Sequence, residues 1–201
     1  MNESRRIEAF SDAVFAIAIT LLALDLTVPE PGDFTSTLLD AWPSYLAYLA
    51  TFLTIASIWI HHHAVFSRIA GVEPALLLLN VLLLLGVSLL PWPTALIAVA
   101  LQDGDRADGI AAVLVYAIAS LIVGVAWTAT CTVLARRPRL LVRESDAAWM
   151  GRNARQAALS GLPVLAACGL AFLSTLAALA VFVAIPIAFL WSTSANWSSR
   201  N

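Results

Sequence analysis

RIEAFSDAVFAIAITLLALDL, residues 6–26, is an apolar run with an Arg at its head and a Ser-Asp pair in its second turn. About 20 residues of apolar helix cross the hydrocarbon core of a bilayer. This stretch reaches that length only with Glu8, Ser11 and Asp12 kept inside it. Hydrocarbon cannot solvate an ionisable group, so such residues turn toward protein or water. The first helix is therefore expected to carry a polar patch whose partners sit on other helices.

Apolar runs of this kind recur along the whole chain of 201 residues, which is 61% hydrophobic and only 12% charged. Its mean hydropathy is +0.87. A soluble domain carries about 25% charged residues, so the reading is an all-α polytopic membrane protein, one membrane domain with short loops. Six transmembrane helices are expected, at about 7–27, 44–66, 75–100, 109–135, 156–173 and 175–192. The last two share one apolar segment, divided at Ser174-Thr175, a pair of N-cap type. Arg5, Arg6 and the apolar run 13–24 resemble the head of a signal peptide. Glu8 and Asp12 oppose that reading, and no convincing A-x-A cleavage site follows before VPEPG at 28–32, so a retained first helix is expected.

Charge placement orients the helices, because cytoplasmic loops collect Lys and Arg. All 11 basic residues are Arg. With cytoplasmic N- and C-termini and six spans, every Arg except Arg106 falls inside. The loop 136–155 holds Arg136, Arg137, Arg139, Arg143, Arg152 and Arg155 and reads as a short amphipathic interfacial helix. The outer loops hold Glu30, Asp33, Asp40, Asp103, Asp105 and Asp108.

At about 100° per residue, Ile17, Leu21, Leu24 and Val28 fall on one stripe of the first helix, continued by Phe10 and flanked by Thr20. Such a stripe serves a packed helix interface as well as a pore wall. Ser11 and Asp12 lie well round from it. Their candidate partners are Trp59, His61, His62 and His63 at the end of the second span and Asn80 in the third, with Arg6 as a salt-bridge partner nearer the interface.

Arg6-x-x-x-Phe10-Ser11-Asp12 is an RxxxFSD signature, and with AVFAIAITLLALDL behind it the chain resembles the transmembrane protein 175 family of lysosomal potassium channels in its short prokaryotic form. No TVGYG filter loop is present. The resemblance implies a homotetramer in a bacterial cytoplasmic membrane, with the first helix of each subunit lining a central pore. It implies that Arg6, Phe10, Ser11 and Asp12 pack within the subunit. It implies an aliphatic bottleneck at Ile17, with further rings at Leu21 and Leu24 and a Thr layer at Thr20. Permeant K⁺ and other monovalent cations, the bilayer and further copies of the chain are the partners expected, with no cofactor and no nucleic acid.

A ring of Ile or Leu gates by dewetting and offers no carbonyl cage. Modest selectivity for K⁺ over Na⁺ is therefore expected, resting on the larger dehydration cost of Na⁺. Asp25 and the acidic loops would concentrate cations at the entrance.

Three consecutive His on a helix point about 100° apart and cannot converge on one ion, so no metal site is expected. One His is expected in the Asp12 network, and the cluster would make currents pH-sensitive. Pro91 and Pro93 predict a kink, Gly86, Gly124, Gly161 and Gly169 close helix packing, and Cys131 and Cys168 small buried residues. No nucleophile elbow, phosphate loop or metal triad appears, so no enzyme is expected. The competing reading is a small proton-coupled secondary transporter relaying protons through Asp12, His61–His63 and Asn80.

Overall fold

The computed structural model describes residues 3–26, 28 and 32–198, with side chains through Ala188. Pro29, Glu30, Pro31 and Arg200 lie outside the described residues. Regular structure among the described residues is helical, apart from one isolated bridge. In chain order the helices are α1 (Glu3–Leu21, extended by a 3-10 turn Leu22–Asp25), α2 (Phe34–Asp40), α3 (Trp42–Phe66), α4 (Pro74–Leu89), α5 (Pro91–Asp103), α6 (Arg106–Arg136), α7 (Ala147–Ala171) and α8 (Thr175–Ser198). Four stretches among the described residues are long and apolar enough to cross a membrane: Ser4–Asp25, Trp42–Phe66, Pro74–Asp103 and Arg106–Arg136. Thr175–Ala188 is a shorter apolar helix.

Local chemistry sets the helix ends. Pro43, Pro74 and Pro91 sit in first turns, where a missing N–H costs nothing. Gly104 closes α5 in the left-handed conformation, φ 71°, with its N–H on the Ala100 carbonyl. Asp105 then caps α6, its carboxylate accepting from the Ala107 and Asp108 amides at 2.7 and 3.0 Å. At the head of α8 the Ala177 amide donates to Ser174 Oγ. The α4–α5 break has a direct cause. Pro91 has no N–H for the Val87 carbonyl, so Leu90 N–H takes it one residue early, at 3.2 Å.

α6 is the central post, packed on α4, α5 and α7, while α3 packs on α5 and α8. α1 lies at the edge, against α3 and α4. Gly86 makes the α4–α6 approach close, since a Cβ there would meet Val123 Cγ2 at 2.7 Å and Val123 N at 3.1 Å. At Gly124 and Gly169 a Cβ would meet nothing within 4 Å, so these two are not close-packing positions. Gly161 has only an ordinary contact, with Leu121 Cδ2 at 3.9 Å.

The basic loop differs from the interfacial helix expected over 136–155. Pro138 and the extended Leu141 interrupt it, leaving two 3-10 turns, Pro138–Leu140 and Glu144–Asp146, before α7 begins. Tertiary bonds compete with helix here. Ile69 and Leu141 form an antiparallel bridge, with Ala70 N–H on Leu140 O and Val142 N–H on Arg68 O, both 2.8 Å. Around it Glu73 pairs with Arg137 and Arg139, and the Arg68 guanidinium lies 4.4 Å over the Trp149 ring. Two loops are thereby stitched at the basic end of the bundle.

Candidate functional site

α1 presents two apolar stripes with opposite fates. Ser11, Phe15, Ala18 and Leu22, spaced 4, 3, 4, are all buried against α3 and α4. Ile17, Leu21, Leu24 and Val28, in the same spacing, are 59%, 43%, 78% and 85% exposed. Thr20 lies on the exposed side, its hydroxyl donating to the Ile17 carbonyl at 2.9 Å. Asp25 ends the helix, exposed, beside a cleft also lined by Ser44, Tyr48 and Gln102.

Directional bonds set the rotation of α1. Trp59 Nε1–H donates to Asp12 Oδ1 at 2.9 Å. One turn away His63 Nδ1 meets Glu8 Oε1, also at 2.9 Å. α1 and α3 run antiparallel, so acids four residues apart on one match donors four residues apart on the other. Trp59 and His63 stack on each other, with centroids 6.4 Å apart.

Deeper in, a second set of bonds joins three helices. Ser11 Oγ–H donates to the Ile7 carbonyl at 2.8 Å, Asn80 Nδ2–H donates to Ser11 Oγ at 3.0 Å, and His62 Nε2 meets Asn80 Oδ1 at 3.0 Å. The carbonyl at the end can only accept, which directs every bond upstream and leaves His62 protonated on Nε2. His62 is completely buried, between Phe66 stacked at 4.0 Å and the edge of Phe15 at 5.3 Å. Its Nδ1 has no hydrogen-bond partner among the described residues. Within lipid such interhelical bonds are worth about 0.5–2 kcal/mol each.

The three His thus take three different partners, His61 Nδ1 meeting the Ser57 carbonyl of its own helix at 2.8 Å. The structure brings Ser11, Asp12, Trp59, His62, His63 and Asn80 together around α1. It does not bring in Arg6 or Phe10. Phe10 is 62% exposed, and Arg6 is exposed with no ion pair among the described residues.

Two features escaped the sequence reading. Glu8 was legible in principle, one turn before Asp12 and facing a donor one turn from Trp59. The other is a buried hydroxyl ladder in which Tyr116 meets Thr51 at 3.2 Å, Thr51 meets Thr94 at 2.7 Å, and Thr94 donates to the Leu90 carbonyl at 2.7 Å. Only the fold brings those three helices into register.

Comparison with known proteins places the chain among channels. The family model described as "Endosomal/lysosomal potassium channel TMEM175" matches residues 6–91. A potassium channel of Streptomyces collinus is 45% identical over 177 residues, covering 87% of this chain and 85% of that one. A potassium channel of Chamaesiphon minutus is 41% identical over 150 residues, 72% of each chain. The crystal structure of a lysosomal potassium-selective channel TMEM175 homolog, also from Chamaesiphon minutus, superposes with a TM-score of 0.79. Its sequence is 32% identical, and the match covers 96% of this chain and 98% of that one.

Proposed function

The chain belongs to the TMEM175 family, a multi-pass membrane channel family and not an enzyme family, and on that premise we propose that it conducts potassium ions passively through a pore lined by α1. The observation that carries this reading is the exposed stripe of Ile17, Leu21 and Leu24 on a helix whose other stripe, Ser11, Phe15, Ala18 and Leu22, is buried. Four copies of α1 around a central axis would bring these side chains into rings.

Ile17 forms the bottleneck, with Leu21 and Leu24 as further rings. A ring of aliphatic side chains repels water from a narrow pore and closes it without a moving lid. Thr20 supplies the polar layer between them. Potassium is favoured modestly over sodium because it sheds water more cheaply. Asp25 stands at the outer mouth, where its charge raises local cation concentration. Six spans cross the cytoplasmic membrane of a bacterium, with the Arg-rich end and both termini inside.

The polar cluster holds the pore helix in one rotation, so that the apolar stripe and not Asp12 faces the axis. A carrier relaying protons through the same groups is disfavoured by the direction of the bonds. They run from His62 through Asn80 and Ser11 to the Ile7 carbonyl, which has no proton to pass on.

Single-channel recording of purified protein in planar bilayers, with K⁺ on one side and Na⁺ on the other, tests the proposal. Unitary steps with a reversal potential toward K⁺ are expected. Ile17→Asn should raise conductance or leak, and a tenfold rise would mean a barrier about 1.4 kcal/mol lower. Flux without unitary steps, lost in Asp12→Asn with assembly intact and indifferent to Ile17, would overturn the channel reading.

A further inference from the structure

Between α3, α6, α7 and α8, away from the exposed stripe of α1, lies a cavity of about 130 Å³. We propose that it is a binding site for a small neutral amphiphile, an apolar ring or short chain bearing one hydroxyl, which reaches it from the bilayer. Three observations carry this. The space is close to that of a buried apolar cavity of roughly 150 Å³ known to take up benzene. Its walls are mostly hydrocarbon, with Phe182, Val164 and Ala157 all buried. Two polar groups on it are unused.

Those two are the Ser57 hydroxyl and the Trp127 indole N–H. Their residues are 5% and 7% exposed, and neither group makes a hydrogen bond among the described residues. The other hydroxyls bordering the space are already paired: Tyr116 with Thr51 Oγ1 at 3.2 Å, Thr54 on Ala50 O at 2.9 Å, Ser120 on Tyr116 O at 2.9 Å and Ser160 on Ala157 O at 2.7 Å. Buried polar groups are nearly always paired. The indole only donates, and the serine hydroxyl both donates and accepts. One ligand hydroxyl satisfies both, its oxygen accepting from Trp127 Nε1–H and its hydrogen going to Ser57 Oγ.

His61 also borders the space, its Nδ1 meeting the Ser57 carbonyl at 2.8 Å, and no Asp, Glu or Arg is among the described lining residues, so a cationic ligand would lie there without a counterion. Gly124 borders the space, and a Cβ on it would meet nothing within 4 Å. Glycine here leaves room and does not bring two helices together.

The test titrates the full-length protein in detergent with 4-bromophenol and with bromobenzene, which lacks the hydroxyl. Binding is read as a saturable rise in melting temperature. The bromine is located by anomalous scattering in soaked crystals. The expected result is bromine against Gly124, with bromophenol bound about threefold to tenfold tighter than bromobenzene, the value of one or two net hydrogen bonds. Ser57→Ala and Trp127→Phe should collapse that ratio toward one, and Gly124→Leu should abolish binding of both. Equal affinities on the wild-type protein, no saturable stabilisation, bromine found elsewhere, or undiminished binding by folded Gly124→Leu would each overturn the proposal. The wild-type comparison needs no variant to fold. All of these readouts are independent of conduction.

Discussion

Residues 6–91 and residues 106–188 are alike in apolarity but use their polar side chains differently. In the first region Glu8, Ser11 and Asp12 reach across to His63, Asn80 and Trp59 on other helices. In the second, Ser120, Thr130, Thr132 and Ser160 each donate to a carbonyl three or four residues back in their own helix. Tyr116 reaches Thr51 on α3, and at the loop ends Arg106 reaches the Phe172 carbonyl while Arg137 and Arg139 reach Glu73. The second region packs by shape instead, with Ala112, Ala117, Ala119, Ala126, Ala157, Ala167 and Ala171 buried in its seams. The family match falls on the first region.

Lipid tails are as apolar as Leu, so no hydrophobic force selects which face of a membrane helix turns inward. Small residues let helices approach and tolerate several rotations. A directional bond to a fixed partner does not. α1 is the helix on which rotation matters most, because it carries two stripes of equal spacing, and Glu8, Ser11 and Asp12 all tie it to neighbouring helices.

Six substitutions, in four experiments, test this contrast. Gly86→Leu strikes the joint between the regions and should cost about 3 kcal/mol by overpacking against Val123. Loss of monodisperse protein would show it, whereas a normal thermal transition would mean that α4 and α6 stand further apart. Asn80→Leu should cost about 2 kcal/mol, because it strands the Ser11 oxygen and the His62 Nε2–H together. Ser160→Ala, whose hydroxyl serves only its own helix, should be near neutral. Equal losses of melting temperature in these two variants would erase the distinction. A double-mutant cycle on Trp59→Phe and Asp12→Asn should give a coupling of about 0.5–1.5 kcal/mol, and none if the bond is idle. Last, Glu73→Gln releases Arg137 and Arg139 at the basic end, where Arg139 is 74% exposed. It should cost about 0–1 kcal/mol, less at high salt, and a large salt-independent loss would show that the loop stitching depends on Glu73.

Much of the polar cluster was legible because ionisable and amide groups are conspicuous in apolar runs. Asp12, Trp59, His62 and Asn80 stand out for that reason. The pairings were not legible. Trp59, His61, His62, His63 and Asn80 were all candidate donors to Asp12, and choosing among them takes the relative height of antiparallel helices. Arg6 and Phe10 share the signature with Ser11 and Asp12, yet a wheel cannot say whether a residue near the head of an edge helix meets a neighbour. Gly124 and Gly86 look identical in sequence. One borders a void and the other a backbone, and glycine suits both.

By itself the sequence determined the class of molecule, since apolar length and the near-absence of charge leave a chain no soluble core and oblige its backbone to close its bonds in helices. It also determined the family, through the RxxxFSD signature. The tertiary structure alone decided how α1 is rotated, that His62 joins Asn80 while His63 joins Glu8, and that residues 137–146 give up α-helix for a bridge to Ile69. The physical reason is common to all three. Each is a choice between partners of similar local chemistry, and what separates them is the distance between residues far apart in the chain.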